Sequence, residues 1–120
     1  MNKIPELWEL IALFEAEPVD VYEEEIEIPW YYRTINFKLI RGNETLDCTI
    51  SPANRIVDIW VDTNGRRLLQ INLENVQEMK IEKTHDKEIL HIVFSEDDVI
   101  EKFFIETKPY IYVYCSKAHY

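Results

Sequence analysis

The apolar and polar residues of this chain alternate in a way that predicts three consecutive β-hairpins. In the first hairpin, a two-residue turn at Gly42 and Asn43 suits a type II′ geometry, whose twist matches that of the flanking strands. This turn pairs Lys38 with Asp47 on one face of the hairpin. On the other face it aligns three apolar pairs: Leu39–Leu46, Phe37–Cys48 and Ile35–Ile50. Because register and face agree, we expect the apolar face to be buried.

The second hairpin turns near Asn64 and Gly65. A two-residue turn there would place polar side chains opposite the apolar face of the preceding strand, namely Gln70 and Asn72. A three-residue turn with Gly65 in the left-handed conformation instead aligns two apolar pairs, Ile59–Leu69 and Val57–Ile71. The longer turn is therefore the predicted one.

A four-residue turn over residues 84–87 closes the third hairpin and aligns two further apolar pairs, Ile81–Leu90 and Met79–Ile92. Two more strands are predicted over residues 99–105 and 110–115, after an acidic connection over residues 95–98. No segment of this region keeps a helical period long enough to cross between parallel strands. The strands are therefore expected to form one continuous antiparallel layer.

Ahead of the strands, apolar residues recur at the spacing of one helical face: Leu7, Leu10, Ile11 and Phe14. This spacing predicts an amphipathic helix over about residues 5–16. A proline such as Pro5 is tolerated in the first turn, and Pro18 is expected to end the helix. The apolar stripe of the helix needs a surface to cover, and the apolar face of the sheet provides one.

Together these elements predict an α+β fold in a single domain over residues 1–120. The N-terminal helix would pack on a twisted antiparallel β-meander of about seven to nine strands, covering about residues 22–116. A sheet this wide is expected to curl into a partial barrel or a two-layer sandwich. The chain of 120 residues, 47% of them apolar, is large enough to bury a core without disulfides.

Two compositionally distinct segments lie between the helix and the first hairpin. Residues 20–27 carry five acidic side chains and are predicted to form a solvated linker and edge strand rather than a ligand cage. Charge on an edge strand discourages edge-to-edge aggregation. An aromatic block follows at Trp30, Tyr31 and Tyr32, and Pro29 before it predicts a strand that is interrupted or at an edge.

The formal net charge of −10 narrows the range of partners. It disfavours binding to the phosphates of nucleic acid and to anionic membranes. It favours either simple solubility or the electrostatic steering of a basic protein partner. The chain opens without a secretory signal pattern and contains no apolar run of membrane-spanning length, which predicts a cytoplasmic location.

Residues that could support catalysis or metal binding are few and scattered. The three histidines are far apart in the sequence, at His85, His91 and His119. The chain has no Cys-x-x-Cys or Gly-x-Ser-x-Gly pattern, and both glycines fall in predicted turns, which leaves no phosphate-binding loop. Cys48 is expected to be a free buried cysteine. We predict no catalytic residue, no metal and no cofactor, and favour a protein without enzymatic activity.

The most suggestive surface pattern lies on the strand around residues 56–62. The side of this strand that faces away from the core carries Trp60 between Asp58 and Asp62. An aromatic side chain beside carboxylates suits an anchor for a basic partner, although a neighbouring segment could also cover Trp60. A second candidate set lies on one side of the last strand, at Tyr110, Tyr112 and Tyr114, and suits either an interface or a two-layer core with the hydroxyls at its rim.

Three functional hypotheses follow from these patterns. The first is a protein-binding module, similar in role to an inhibitor or immunity protein, whose basic partner would contact Asp58, Trp60, Asp62 and the three tyrosines. The second is a small-ligand binder or weak enzyme with a pocket at the mouth of the sheet, lined by Trp30, Tyr31, Tyr32 and His91. The third is a self-associating protein whose last strands, which are apolar on both faces, pair with a second copy.

Overall fold

The computed structural model describes residues 1–22, 28–95 and 99–117. Residues 23–27 of the predicted acidic linker, residues 96–98 of the predicted acidic connection, and His119 lie outside the described residues. The described part contains one helix and nine strands in the following order: α1 (Leu7–Phe14), β1 (Val19–Asp20), β2 (Ile35–Arg41), β3 (Glu44–Ser51), β4 (Ile56–Thr63), β5 (Arg66–Leu73), β6 (Val76–Lys83), β7 (Glu88–Phe94), β8 (Ile100–Lys108) and β9 (Tyr112–Lys117).

The strands form two antiparallel sheets instead of the single continuous layer that the sequence predicts. One sheet has the order β1-β2-β3-β4-β5 and the other the order β6-β7-β8-β9, and the sheets do not close into a barrel. The chain leaves β5 through Asn75, which has a left-handed backbone with φ of 59°. The N–H of Val76 then donates to the carbonyl of Arg55 at 3.0 Å, so β6 does not return along β5.

The predicted register of the first hairpin is confirmed. Leu39 pairs with Leu46, and the pairs Phe37–Cys48, Ile35–Ile50 and Lys38–Asp47 follow in the same ladder. Gly42 has φ of 60°, as the first central position of a type II′ turn requires. The three apolar pairs are buried, as the alternation predicts.

The predicted three-residue turn of the second hairpin is wrong. Thr63 pairs with Arg66 across a two-residue turn in which both Asn64 and Gly65 have positive φ, at 52° and 77°. A bulge at Leu68 then moves the register by one residue, so that the apolar pairs become Val61–Leu69, Ile59–Ile71 and Val57–Leu73. A bulge adds one residue to one strand. The short turn and matched apolar faces are therefore compatible, which alternation alone did not reveal.

The third hairpin has the predicted register, with Ile81 opposite Leu90 and Met79 opposite Ile92. The two strands after it begin and end later than predicted, at Ile100–Lys108 and Tyr112–Lys117.

The helix is shorter than the predicted span of residues 5–16 and ends before Pro18. It begins after Glu6, where a capping box joins Glu6 and Glu9, and it ends where Glu15 adopts a left-handed backbone with φ of 55°. The ring of Phe14 stacks on that of Phe37 with 4.9 Å between the centroids. This stack places the helix against the core face of β2.

One hydrophobic core includes side chains from the helix and from both sheets. Its largest fully buried members include Leu10, Phe14, Phe37, Ile59, Leu90 and Phe103. Full burial of side chains of this size contributes about 1.5–3 kcal/mol each to folding. The shared core holds the outward faces of the two sheets toward solvent, and these faces are where binding residues can lie.

Two further segments complete the architecture. The aromatic block forms a short 3₁₀ turn at Trp30–Tyr32 instead of the expected strand. Near the N-terminus, Lys3 forms a parallel bridge with Glu78, and the N–H of Met79 donates to the carbonyl of Lys3 at 2.9 Å. This contact covers part of the free edge of β6. The helix in the described chain is too short to span a membrane.

Candidate partner-binding surfaces

The outward side of the five-stranded sheet carries the first candidate surface. Alternation along β4 buries Val57, Ile59 and Val61. The same alternation turns Asp58, Trp60 and Asp62 outward, where all three remain partly exposed. We call these three residues and their neighbours Asp47 and Arg67 the tryptophan face. Trp60 is therefore only partly covered by its neighbours.

The side chain of Arg67 lies over Trp60. Its guanidinium carbon is 5.8 Å from the centre of the indole, within the range of a cation–π contact. Its Nε donates to a carboxylate oxygen of Asp62 at 2.8 Å. This hydrogen bond raises the pKa of Arg67 above its already high value. One face of Trp60 thus already accommodates a guanidinium held by a neighbouring carboxylate.

Carboxylates surround Trp60 on its own strand, β4, and on the neighbouring strand β3. Asp47 lies opposite Trp60 on β3 and pairs in turn with Lys38 on β2. Asp58 accepts a hydrogen bond from the side-chain amide of Asn72. The tryptophan face therefore offers three carboxylates around one indole, with Arg67 and Lys38 as the nearby cations.

The outward side of the four-stranded sheet carries a second surface, which we call the aromatic face: His91, Phe104, Tyr112 and Tyr114. The register aligns His91, Phe104 and Tyr114 in one row across β7, β8 and β9. The ring of Phe104 stacks on Tyr114 with 5.0 Å between the centroids and lies 5.7 Å from His91. Tyr112 is 51% exposed and Tyr114 is 37% exposed. This face is therefore aromatic and open to solvent along β9.

The structure separates Tyr110 from the other two tyrosines. Pairing of β9 with β8 begins at Tyr112, so Tyr110 lies in the connection before the strand and is 73% exposed. Tyr110 lines a groove of about 550 Å³ together with Arg41, Gly42, Asn43, Glu44, Thr63 and Pro109. Thr63 is the last residue of β4, so this groove lies at the end of that strand.

The residues predicted to line a ligand pocket do not share one cavity. Tyr31 and Tyr32 line a shallow groove of about 210 Å³ with Met1, Ile4, Pro52 and Ala53. Trp30 packs against the hydrophobic core. His91 lies on the aromatic face, with its Nε2 3.5 Å from a carboxylate oxygen of Glu82. Ligand binding by these residues stays a prediction.

Three residues of these two faces were not among the sequence candidates: Asp47, Arg67 and Phe104. Phe104 joins His91 to Tyr114, and Arg67 covers Trp60. The strand register decides both contacts. A correct alignment of β8 with β9, and of β5 with β4 beyond the bulge, would have revealed them.

In the described chain, no group of three or more His, Cys, Asp or Glu side chains could hold a metal ion. Cys48 and Cys115 are both free; Cys48 is buried and Cys115 is exposed. Burial, followed by the charges of Asp58 and Asp47, raises the pKa of the Cys48 thiol. A neutral, buried Cys48 is a core residue, as the sequence predicts.

No family model and no curated protein sequence matches the chain. A chain of a solved structure, the contact-dependent growth inhibition toxin–immunity protein complex from Klebsiella pneumoniae 342, has a similar fold. The TM-score is 0.80 at 16% sequence identity, and the match covers 98% of this chain and 97% of that chain. The likeness therefore extends over the whole fold.

Proposed function

We propose that this protein is the immunity member of a toxin–immunity pair and that it neutralises its toxin by direct binding. The observation that carries the proposal is the full-length fold likeness to a chain of a toxin–immunity complex. The expectation of an immunity-like binding module, reached from charge and surface aromatics, agrees with it. An immunity role inside the producing cell also suits the predicted cytoplasmic location.

One feature favours the immunity role over the toxin role. The net charge of −10 suits an inhibitor of a basic protein, such as an enzyme that acts on nucleic acid. Opposite charge accelerates the encounter of such partners, and fast capture protects the cell.

The tryptophan face, together with the Tyr110 groove at the end of β4, forms the proposed contact surface. Trp60 supplies a large, rigid anchor, and Asp58 and Asp62 supply charge for a basic partner. Arg67 occupies one face of Trp60 in the free protein. A lysine or arginine of the toxin would take the same position, with Asp62 as its carboxylate partner. Tyr112 and Tyr114 belong to the separate aromatic face.

The proposal is tested by capturing the partner with this protein from the organism's own cells. The gene of the captured protein, expressed alone in a laboratory host, is expected to stop growth, and co-expression of this chain is expected to restore it. Growth that continues when the captured protein is expressed alone would exclude the toxin–immunity assignment.

The contact surface is tested by calorimetry with the purified captured protein. Removal of a central aromatic anchor costs about 2 kcal/mol or more, so Trp60→Ala is expected to weaken the complex about 30-fold. Trp8→Ala is the matched control, because Trp8 is 68% exposed on the helix, outside this surface. Equal affinities for the two variants would place the toxin elsewhere.

A further inference from the structure

Strand β9 presents an open edge. It is the last strand of the four-stranded sheet and pairs with β8 on one side. Among the residues that the structure describes, no strand pairs with its other side. The unpaired N–H and C=O groups of such an edge are a template for another strand.

Other sheet edges in the described chain carry protection that β9 lacks. Strand β1 is only two residues long. The edge of β6 is partly covered by the bridge between Lys3 and Glu78. Strand β5 begins with two exposed arginines, Arg66 and Arg67. Short length, coverage and charge all discourage edge pairing. By contrast, residues 112–116 of β9 carry no charge, no proline and no glycine.

The faces of β9 are also incompletely covered. Tyr112 and Tyr114 are exposed on the aromatic face. Cys115 is exposed on the opposite face of the sheet, which it shares with its pairing partner Phe103. Val113 is only partly buried against the core. A further strand beside β9 would bury apolar area on both faces of the sheet, which favours association.

The local charge near β9 differs from the net charge of the chain. Residues 100–117 contain three lysines and two glutamates, a formal charge of +1 in a chain of net charge −10. A basic partner is therefore not drawn to this edge, and two copies do not repel each other there. The charge pattern favours a second copy of this chain as the occupant.

We propose that β9 pairs antiparallel with β9 of a second copy across a two-fold axis and joins two four-stranded sheets into one of eight strands. Antiparallel pairing of identical strands is self-complementary, as a two-fold interface requires. The row of His91, Phe104 and Tyr114 then continues into the same row of the partner copy. The interface lies on a different sheet from the tryptophan face, so the inference does not rest on the proposed function.

The two-fold axis passes at Tyr114, so that Tyr114 of one copy lies opposite Tyr114 of the other and the Cys115 side chains are diagonal neighbours. The Cys115 thiols of the two copies therefore lie within the span of a short cross-linker. Cys48 is buried, so Cys115 is the thiol that a reagent reaches in the folded protein. The native sequence thus already contains a probe for the proposed interface.

The oligomeric state is tested by sedimentation over the micromolar range with the full chain. The mass of the wild-type protein is expected to rise with concentration from 14.4 kDa toward twice that value. Cys115→Lys, which places a charge on the open edge, is expected to stay monomeric. Leu68→Lys is the matched control, since Leu68 is 52% exposed on the edge strand of the other sheet, and it is expected to dimerise like the wild type.

A short bismaleimide gives an independent measurement. We expect cross-linked dimer from the wild-type protein, and a loss of most of it in Tyr112→Lys, which keeps Cys115. Circular dichroism melting curves show whether each variant is folded. A folded wild-type protein that remains monomeric at high micromolar concentration would overturn the proposal. So would equal dimerisation of the folded Cys115→Lys and Leu68→Lys variants.

Discussion

A terminal nitrogen of the Arg41 guanidinium lies 2.7 Å from a carboxylate oxygen of Glu15. This ion pair joins the end of the helix to the five-stranded sheet. The Nε of Arg41 also donates to the carbonyl of Thr107, at 3.1 Å, on β8 of the other sheet. Lys108, the next residue, lies 3.4 Å from Glu15. The group therefore connects the helix and both sheets at one end of the core.

This ion-pair group makes the free energy of unfolding depend on pH in the acidic range. The hydrogen bond from Arg41 is the main cause that lowers the pKa of Glu15 from its ordinary value of 4.5. A lowered folded-state pKa contributes stability that is present above pH 4.5 and is lost as the pH falls through the folded value. We expect urea unfolding to show this loss in the wild type and a smaller loss in Glu15→Gln. An identical acid dependence in both proteins would contradict the assignment.

Replacement of Arg41 by Gln at neutral pH should lower the free energy of unfolding by about 0.5 kcal/mol. The estimate is small because the carboxylate of Glu15 is 45% exposed and solvent screens the pair. Arg66→Gln is the matched control, since Arg66 is exposed on β5, and it should leave stability nearly unchanged. Chemical unfolding of the two variants side by side measures the difference.

The stacked pair of Phe14 and Phe37 should contribute most of the packing energy between the helix and the five-stranded sheet. Both side chains are fully buried. Phe37→Ala is expected to lower the free energy of unfolding by about 3–5 kcal/mol, since it removes transfer energy and leaves a cavity. Phe37→Leu should cost clearly less because it fills more of the space. Denaturant titration distinguishes the two, and equal losses would show that the cavity is unimportant.

The turn at Asn64 and Gly65 predicts a position-specific effect. A Cβ atom at Gly65 would meet nothing within 4 Å, so any cost of Gly65→Ala comes from its φ of 77° and not from a clash. A non-glycine residue with left-handed backbone costs about 1 kcal/mol. Asn64→Gly should change stability by less, because glycine adopts the positive φ of position 64 without strain. Thermal melting of both variants provides the comparison.

The two cysteines should react very differently with a thiol reagent. Cys115 is exposed, whereas burial raises the pKa of Cys48 and keeps it as an inaccessible thiol. Colorimetric titration of the native protein should detect one reactive thiol per chain, and denaturation should reveal the second. Cys115→Ser should remove the native reaction. Rapid reaction of both thiols in the folded protein would contradict the described packing around Cys48.

Local sequence determined the first and third hairpins, including their registers. In both, the turn residues and the alternating faces lie close together in the chain, so Phe37–Cys48 and Ile81–Leu90 could be paired from spacing alone. The helix was also predicted, since its apolar stripe is local. Its ends were not, because Glu6 and Glu15 lie just outside the apolar stripe, which gives no sign of the capping box at Glu6 or of the left-handed backbone at Glu15.

The sequence also placed Trp60 between two outward carboxylates and Tyr112 beside Tyr114 on one side of a strand. Alternation within a single strand decides such placements, because side-chain direction has a period of two residues. It could not reveal that Arg67 covers Trp60 or that Tyr110 lies apart from the other tyrosines. Those relationships depend on where pairing begins and on the bulge at Leu68.

Only the tertiary structure decided that the strands divide into two sheets. Alternation describes which face of a strand is apolar, but it is silent about which strand lies alongside. At Val76 the backbone bonds to Arg55 instead of returning along β5. The division lets apolar faces of both sheets meet the helix in one core. Burial of apolar area shared by distant segments decides that arrangement, and no local pattern encodes it.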